Sequence, residues 1–165
     1  MRVIRGFVGA VLLVALTACG GSKFRTYNGP EVTRVIVNKG EREMHLLHHG
    51  RVLRSFDIHL GFAPEGHKQF EGDGKTPEGE YIIDRRNPNS SFHLSIGISY
   101  PNEMDVARAA GAGLSPGGDI FIHGAPQTVR SHRPDWTEGC IAVTDKEMEI
   151  IYAMVNDGTP ITINP

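Results

Sequence analysis

Eight short apolar segments, separated by glycine, proline and polar residues, set the main limit on how this chain of 165 residues can fold. Most are rich in β-branched side chains, and several alternate apolar with polar residues, which is typical of half-buried β-strands. Twenty glycines and ten prolines supply turns between them. The segments are residues 33–38, 44–47, 52–60, 81–84, 92–99, 120–123, 140–143 and 161–163. Many short strands with few helices predict a mainly β domain with a β-sandwich or barrel-like fold.

Two short helices are expected between these strands. Asn102 is suited to cap a helix over residues 103–110, with Gly111 as the first residue beyond its end. Thr144 and Glu147 have the spacing of a capping box, and the apolar residues behind them recur at helical spacing. The chain has no internal repeat and no low-complexity segment, so we expect a single domain.

The N-terminus has the features of a secretory signal peptide. Arg2 and Arg5 precede an apolar run over residues 7–16, and about ten residues are too few to span a bilayer, which needs roughly 20. A buried N-terminal helix is the alternative. The four residues Leu-Thr-Ala-Cys that end at Cys19 resemble the bacterial lipobox. That resemblance implies cleavage before the cysteine and a lipid on its sulfur.

The lipobox resemblance divides the chain into three parts. Residues 1–18 are the signal peptide, residues 19–31 a lipid-anchored tether of glycine-rich and polar composition, and residues 32–165 the folded domain. Gly20, and not aspartate, follows the cysteine, which by the sorting tendency of bacterial lipoproteins favours the outer membrane. We therefore expect a periplasmic, membrane-anchored monomer, and the eleven tether residues 20–30 reach at most about 40 Å when extended.

Charge and cysteine content narrow the functional classes. A formal net charge of −2 provides no basic field, so we expect no nucleic acid partner. The chain has two cysteines, and if Cys19 carries a lipid, Cys140 has no partner for an internal disulfide. An unpaired thiol in the oxidising periplasm is exposed to oxidation, which favours a functional use. The cysteines form no CxxC pair, and we expect neither a metal site nor a cofactor.

One window carries the residue types that nucleophilic catalysis needs. His123 closes the apolar segment 120–123, and Cys140 follows Gly139, where the backbone can approach a neighbour closely. The thiolate is the reactive form of cysteine, and a nearby imidazole can generate it. The backbone N–H groups of Gly139 and Cys140 would hold the oxyanion that forms on attack. A buried structural cysteine and a core histidine are the alternative that spacing alone leaves open.

Six short motifs follow one another along the domain. They are Gly-Lys-Thr-Pro-Glu-Gly at 74–79, Glu-Tyr-Ile-Ile at 80–83, Phe-His-Leu at 92–94, Ser-Tyr-Pro-Asn at 99–102, His-Gly at 123–124 and Gly-Cys at 139–140. Each motif alone is weak, and the order of the set is specific. In this order they resemble the L,D-transpeptidase catalytic domain of the YkuD type, over roughly residues 32–164.

This resemblance implies a β-sandwich-like domain with Cys140 as the nucleophile and His123 as its base and acid. The carbonyl of Gly124 would orient the imidazole, and Gly139 would help to form the oxyanion hole. Such enzymes attack the third residue of a peptidoglycan stem peptide, release the terminal D-alanine and pass the acyl group to an amine. With water as the acceptor, the alternative is a hydrolase that releases stem peptide or a wall-attached lipoprotein. A non-catalytic peptidoglycan-binding lipoprotein is the second alternative.

The chain departs from the family pattern beside the cysteine. Glu138 stands where many members have histidine, and Ala142 where they have a polar residue. A carboxylate there would raise the pKa of the thiol if it pointed toward it. The lead-in Asp-Trp-Thr at 135–137 looks like the YafK-type branch, in which hydrolysis or detachment is the other outcome. Candidate substrate contacts, each with packing or solvation as the alternative, are Trp136, Arg133, Arg130, Tyr100 and Lys75.

Overall fold

The structure is a computed structural model that describes residues 22–125 and 134–165. Within these residues it has eight strands and two helices, which confirms the mainly β prediction. In chain order they are β1 Arg34–Asn38, β2 Glu43–His48, β3 Arg51–Asp57, β4 Gly79–Asn87, β5 Ser95–Ile98, α1 Glu103–Gly111, β6 Phe121–His123, β7 Ile141–Ala142, α2 Asp145–Met154 and β8 Pro160–Asn164.

The strands form one sheet in the order β3-β2-β1-β8-β4-β5-β6-β7. Strand β4 changes partner along its length, because residues 79–82 pair with β8 whereas residues 83–87 pair with β5. Its pairing with β5 is irregular between Ile83 and Arg85. Irregularities of this kind bend a strand and increase its twist, so the sheet turns at β4 toward a barrel-like shape. The turn carries β6 and β7 to the end of the sheet, where the candidate site lies.

The alternating pattern of the sequence explains which faces are buried. In β1, Val35 and Val37 point into the core while their neighbours are half-buried, and in β8 Ile161 and Ile163 do the same. Helix α2 starts at the capping box expected from Thr144, since both of its reciprocal hydrogen bonds are present. The local sequence therefore sets both the start of this helix and the faces that the strands bury.

Several expected boundaries differ from the structure. The segment 92–99 forms a strand only from Ser95, because its first three residues make a turn in which His93 has a φ of 71°. The segment 52–60 ends as a strand at Asp57. Gly111 does not lie beyond α1 as expected but is its last residue; Ala112 caps the helix, and the left-handed φ of 71° falls on Gly113.

The described part of the expected tether lies against the domain. The Lys23 ammonium donates to the carbonyl oxygens of Pro88 at 2.6 Å and His93 at 3.1 Å, and Arg25 pairs with Glu149 at 2.7 Å. These contacts hold the segment on the surface instead of leaving it extended. The signal peptide, residues 1–18, and Cys19 lie outside the described residues. Within those that are described, no helix has the length and apolar character needed to cross a membrane.

Candidate active site

His123 and Cys140 come together because β6 and β7 pair in parallel at the end of the sheet. In this pair Ile122 lies opposite Ile141, and His123 lies opposite Ala142. Cys140 immediately precedes β7. Both side chains line a cavity of about 520 Å³, named here the cysteine cavity, whose walls also include Lys68, Phe92, Trp136 and Glu138. A second cavity of about 260 Å³ also opens onto His123 and Cys140.

The imidazole of His123 is buried and held in one tautomer. Its Nδ1 lies 2.8 Å from the carbonyl oxygen of Gly124, and because a carbonyl only accepts, Nδ1 carries the proton. The other ring nitrogen, Nε2, is then an acceptor. The ring packs against both Phe92 and Trp136, with centroid distances of 4.5 and 5.7 Å. Burial lowers the pKa of His123, against the opposing effects of the Gly124 carbonyl and the Asp145 charge.

Gly124 has no room for a side chain. A Cβ built on it would lie 2.5 Å from the Asp145 carboxylate and 3.0 Å from the Phe92 carbonyl oxygen. The absence of a side chain thus lets the start of α2 and the loop before β5 close around the histidine. This packing keeps the Gly124 carbonyl at the position where it meets the imidazole.

The surroundings of Cys140 favour the protonated thiol, because they raise its pKa. Its Sγ lies 3.5 Å from the carbonyl oxygen of Asp119. Burial raises the pKa of the thiol, while a backbone hydrogen bond from Phe121 and the charge of Lys68 lower it. The carboxylates of Asp119 and Glu138 raise it again, and the net shift is upward. The raised pKa of Cys140 and the lowered pKa of His123 both favour the neutral forms of the two side chains.

A tight turn presents Cys140 to the cavity. The Thr137 hydroxyl donates to the Cys140 carbonyl oxygen at 2.6 Å and accepts the Gly139 N–H at 3.2 Å. Gly139 has a φ of 127°, and a Cβ there would lie 2.6 Å from the Lys75 carbonyl oxygen. The expected oxyanion role of the Gly139 N–H is not supported, because the Thr137 hydroxyl already engages it. Gly139 instead provides the backbone conformation of the turn.

Two charged residues of the site were missed by reading the sequence. Asp135 anchors the cysteine loop, since its carboxylate accepts the Leu60 N–H at 2.9 Å and pairs with Arg42 at 2.8 Å. Lys68 lines the cysteine cavity with its side chain only 3% exposed and pairs with Asp73 at 2.9 Å. The aspartate belongs to the Asp-Trp-Thr lead-in, which was a usable signal. Nothing in the local sequence marks the lysine.

The structure brings only some of the expected substrate contacts to the cavity. Trp136 lines it. Tyr100 does not, because it is buried beside Tyr81 and donates to the Pro116 carbonyl oxygen at 3.0 Å. Lys75 does not line it either, and its ammonium lies near Gly66. Arg130 and Arg133 lie outside the described residues. Glu138 lines the cavity as an exposed side chain.

No group of three or more histidine, cysteine or acidic side chains is arranged to hold a metal ion within residues 22–125 and 134–165. The chemistry that this arrangement can perform rests on the thiol and the imidazole. A buried imidazole whose Nε2 has no hydrogen-bond partner among the described residues, in one open cavity with a thiol, is suited to general-base activation of a nucleophile.

Comparison with known proteins shows which family this domain resembles. Residues 32–163 match the profile of the YkuD family, described as the L,D-transpeptidase catalytic domain. The Escherichia coli K12 protein YafK, an L,D-transpeptidase by name, is 34% identical over 107 residues, which are 64% of this chain and 38% of YafK. The helical cell shape determining protein Pgp2 of Campylobacter jejuni is 28% identical, with a TM-score of 0.59 over 83% of this chain and 49% of that one.

A more distant structure supports the fold alone. The L,D-transpeptidase of Mycobacterium smegmatis is 16% identical, with a TM-score of 0.55 over 81% of this chain and 59% of that one. The chain spans about two fifths of YafK and about half of Pgp2. The family profile covers most of the chain. We conclude that the chain belongs to the YkuD family of L,D-transpeptidase catalytic domains.

Proposed function

We propose that this protein is a cysteine-dependent acyltransferase that acts on peptidoglycan stem peptides. The observation that carries the proposal is the His123 imidazole, whose Nδ1 is fixed on the Gly124 carbonyl while Nε2 stays available beside Cys140 in one cavity. Cys140 is the nucleophile, His123 the base and acid, and Gly124 the group that orients the imidazole. The donor carbonyl is that of the third stem residue, and the terminal D-alanine is the leaving group.

The proton movements follow from the resting protonation states. As the Cys140 sulfur bonds to the donor carbonyl carbon, the thiol proton passes to Nε2 of His123. The imidazolium then gives this proton to the nitrogen of the departing D-alanine, which leaves a thioester. An amine acceptor attacks the thioester, loses its proton to the imidazole, and frees the thiol. The Cys140 N–H is the proposed oxyanion donor, since that of Gly139 is already engaged.

The two cavities support transfer to an amine. The larger and the smaller one share Phe92, Asp119, His123 and Cys140, so a donor and an acceptor can approach the thioester from different sides. Hydrolysis is the second candidate and uses the same thioester with water as the acceptor. The exposed Glu138 beside the cavity favours it, because a carboxylate can orient a water molecule. Release of stem peptide or of a wall-attached lipoprotein would be the result.

The cellular setting belongs to the same proposal. A lipid on Cys19 would anchor a monomer in the periplasm, at the outer membrane, next to the peptidoglycan that it modifies. Pgp2 is named as determining cell shape, and we propose a role in cell-wall remodelling for this chain too. A non-catalytic wall-binding lipoprotein is the remaining alternative, and loss of Cys140 would leave its wall binding unchanged.

The test compares the wild type with Cys140→Ala and His123→Gln on tetrapeptide-bearing muropeptides, with mass spectrometry of all products. We expect the wild type to form a thioester adduct and to release D-alanine, Cys140→Ala to form neither, and His123→Gln to be slower by about 10²–10⁴-fold. Cross-links between third residues indicate transfer, whereas free tripeptides indicate hydrolysis. An unchanged product profile in folded Cys140→Ala would refute cysteine catalysis.

A further inference from the structure

We propose that Lys68 forms a binding site for a carboxylate of the donor peptide at the floor of the cysteine cavity. This inference rests on the proposed function, because it names the group by which the same site recognises its donor. The cavity, the burial of the lysine and the hydrogen bonds around its ion-pair partner carry it.

Lys68 is placed to meet a ligand and not solvent. Its side chain is 3% exposed, yet it lines the cavity that also holds His123 and Cys140. Its charge acts on the thiol of Cys140. A buried ammonium requires strong compensation, because removing a charge from water is costly. The compensation seen in the structure is a single partner, Asp73, at 2.9 Å.

Asp73 does not use up the positive charge of Lys68. Its Oδ1 accepts from Lys68 and from the Lys75 N–H at 3.0 Å, and its Oδ2 accepts the N–H groups of Gln69 at 2.7 Å and Phe70 at 3.2 Å. Three backbone donors thus share this carboxylate with the lysine. The negative charge of Asp73 is spread over four hydrogen bonds, which weakens its hold on the Lys68 ammonium.

Among residues 22–125 and 134–165, two of the three donors of the Lys68 ammonium have no acceptor. A lysine has three N–H donors, and within residues 22–125 and 134–165 Asp73 is the only acceptor that Lys68 meets. By contrast, Lys39 is equally buried but donates to three acceptors. A carboxylate with two oxygens is the ligand that would satisfy the spare donors and the excess charge together.

The charges around the cavity narrow the class of ligand. Lys68 is the only lysine or arginine among the described residues that line it, whereas Glu71, Asp119 and Glu138 are exposed acidic residues of the wall. These carboxylates repel a small free anion but suit a molecule that also carries an ammonium group. A stem peptide with diaminopimelate at its third position has both charges. Its side-chain carboxylate and the terminal carboxylate of D-alanine are the two sources that Lys68 can recognise.

The experiment compares three tetrapeptide donors in the purified full chain. One is the free acid, one has the terminal carboxylate of D-alanine converted to the amide, and one has the side-chain carboxylate of diaminopimelate converted to the amide. We expect one of the two amides to lower kcat/KM by roughly 10- to 100-fold, the range of one charge-assisted hydrogen bond. The amide that causes the loss identifies the carboxylate. If neither amide differs from the acid, the proposal is overturned, and this comparison needs no variant.

Variants then assign the preference to Lys68. In Lys68→Met we expect the ratio of kcat/KM for the acid donor to kcat/KM for the amide donor to fall to about one. In Lys68→Arg we expect this ratio to be largely kept, because the charge remains. Lys146→Met is the matched control, since it removes the same charge from an exposed position outside the cavity and should keep the wild-type ratio. If Lys68→Met slows acid and amide equally, the lysine acts on the thiolate or on folding, and the proposal is wrong. If Lys68→Met does not fold, the proposal is judged by the ratio of kcat/KM for acid and amide in Lys68→Arg and in the wild type.

Binding without turnover separates this inference from the proposed function. Trp136 is the only tryptophan of the chain and lines the cavity, so its fluorescence reports occupancy in Cys140→Ala. If the wild type forms no product that depends on Cys140 but Cys140→Ala still binds the acid more tightly than the amide, the carboxylate site stands and the proposed function fails. If turnover occurs without any difference between acid and amide, the function stands and the carboxylate site fails.

Discussion

Lys39 and Lys68 are both almost fully buried and both hold the segment 66–79, but their ammonium groups have different surroundings. Lys39 donates to the carbonyl oxygens of Gly66 at 2.7 Å and Thr76 at 3.0 Å, and to the Glu78 carboxylate at 2.8 Å. All three of its donors are used. Lys68 has Asp73 alone among the described residues. Although both lysines are equally buried, Lys39 connects parts of the fold, whereas Lys68 keeps hydrogen-bond donors that a ligand can use.

The same contrast extends to other polar groups around the cysteine cavity. In the described residues, two buried side-chain atoms without a hydrogen-bond partner are Trp136 Nε1 and Asp145 Oδ1. Trp136 packs against His123, and the charge of Asp145 raises the pKa of His123. Neither atom belongs to the contacts of Lys39 with Gly66, Thr76 and Glu78, named here the Lys39 tie. Since buried polar groups are nearly always paired, unused hydrogen-bonding capacity marks the part of this fold where a ligand is expected.

The largest expected difference separates the two lysines in stability. Lys39→Met should lower the free energy of unfolding by about 2–4 kcal/mol, because it leaves Glu78 and two carbonyl groups without their donor. Lys68→Met should lower it by only about 1–2 kcal/mol, because Asp73 keeps three backbone donors. Urea denaturation of both variants at pH 7 measures the difference. An equal or larger loss in Lys68→Met would show that both lysines are structural ties, and the contrast would not hold.

The next test concerns the backbone of the turn at residues 137–140. This backbone is tightly packed, although side chains around it have unused hydrogen-bonding groups. Gly139→Ala combines a φ of 127° with a Cβ 2.6 Å from a backbone oxygen, and should cost about 2–3 kcal/mol. Gly158→Ala is the matched control, because its φ is 87° but nothing lies within 4 Å, and it should cost about 1 kcal/mol. Thermal unfolding checks both. Equal losses would mean that the close approach at Gly139 contributes nothing.

The sequence predicted those parts of the molecule that depend on local pattern. Strand positions followed from alternating apolar residues, and the start of α2 followed from Thr144 and Glu147, which lie within one turn of each other. The expectation that His123 and Cys140 meet needed more than spacing. It came from the order of several motifs, because the parallel pairing of β6 with β7 is not visible in either strand alone.

The parts that could not be predicted depend on which hydrogen-bond partners the folded chain supplies. A lysine is ordinarily exposed, so the burial of Lys68 cannot be predicted from its residue type. The Gly139 N–H was a reasonable oxyanion donor until the Thr137 hydroxyl competed for it. Tyr100 was interpreted as a substrate contact, but its hydroxyl meets the Pro116 carbonyl in the interior. In each case the deciding partner is a group that the local pattern does not identify.

A smaller effect concerns the pH dependence of folding at the cavity. Burial lowers the pKa of His123 below its ordinary value near 6.5. Between the two values the unfolded chain binds a proton that the folded chain does not, so stability falls as the pH falls through this range. His123→Gln should reduce this loss between pH 7.5 and pH 5.5 in urea denaturation. His49→Asn, an exposed histidine, is the control and should keep the wild-type dependence. The same slope in His123→Gln and the wild type would contradict the prediction.

The smallest expected change concerns the carboxylate of Asp145, whose Oδ1 has no hydrogen-bond partner among the described residues. Asp145→Asn removes a negative charge that raises the pKa of His123, so the imidazole should titrate at still lower pH in an NMR titration of its ring protons. It also removes a favourable charge from the first turn of α2 and should cost about 0.3–1 kcal/mol. Asp157→Asn, an exposed aspartate just beyond α2, is the matched control and should leave the titration unchanged. If His123 has the same pKa in the two variants, the Asp145 carboxylate does not affect the protonation of the imidazole. The contrast between the Lys39 tie and the cysteine cavity would then rest on Lys68 alone.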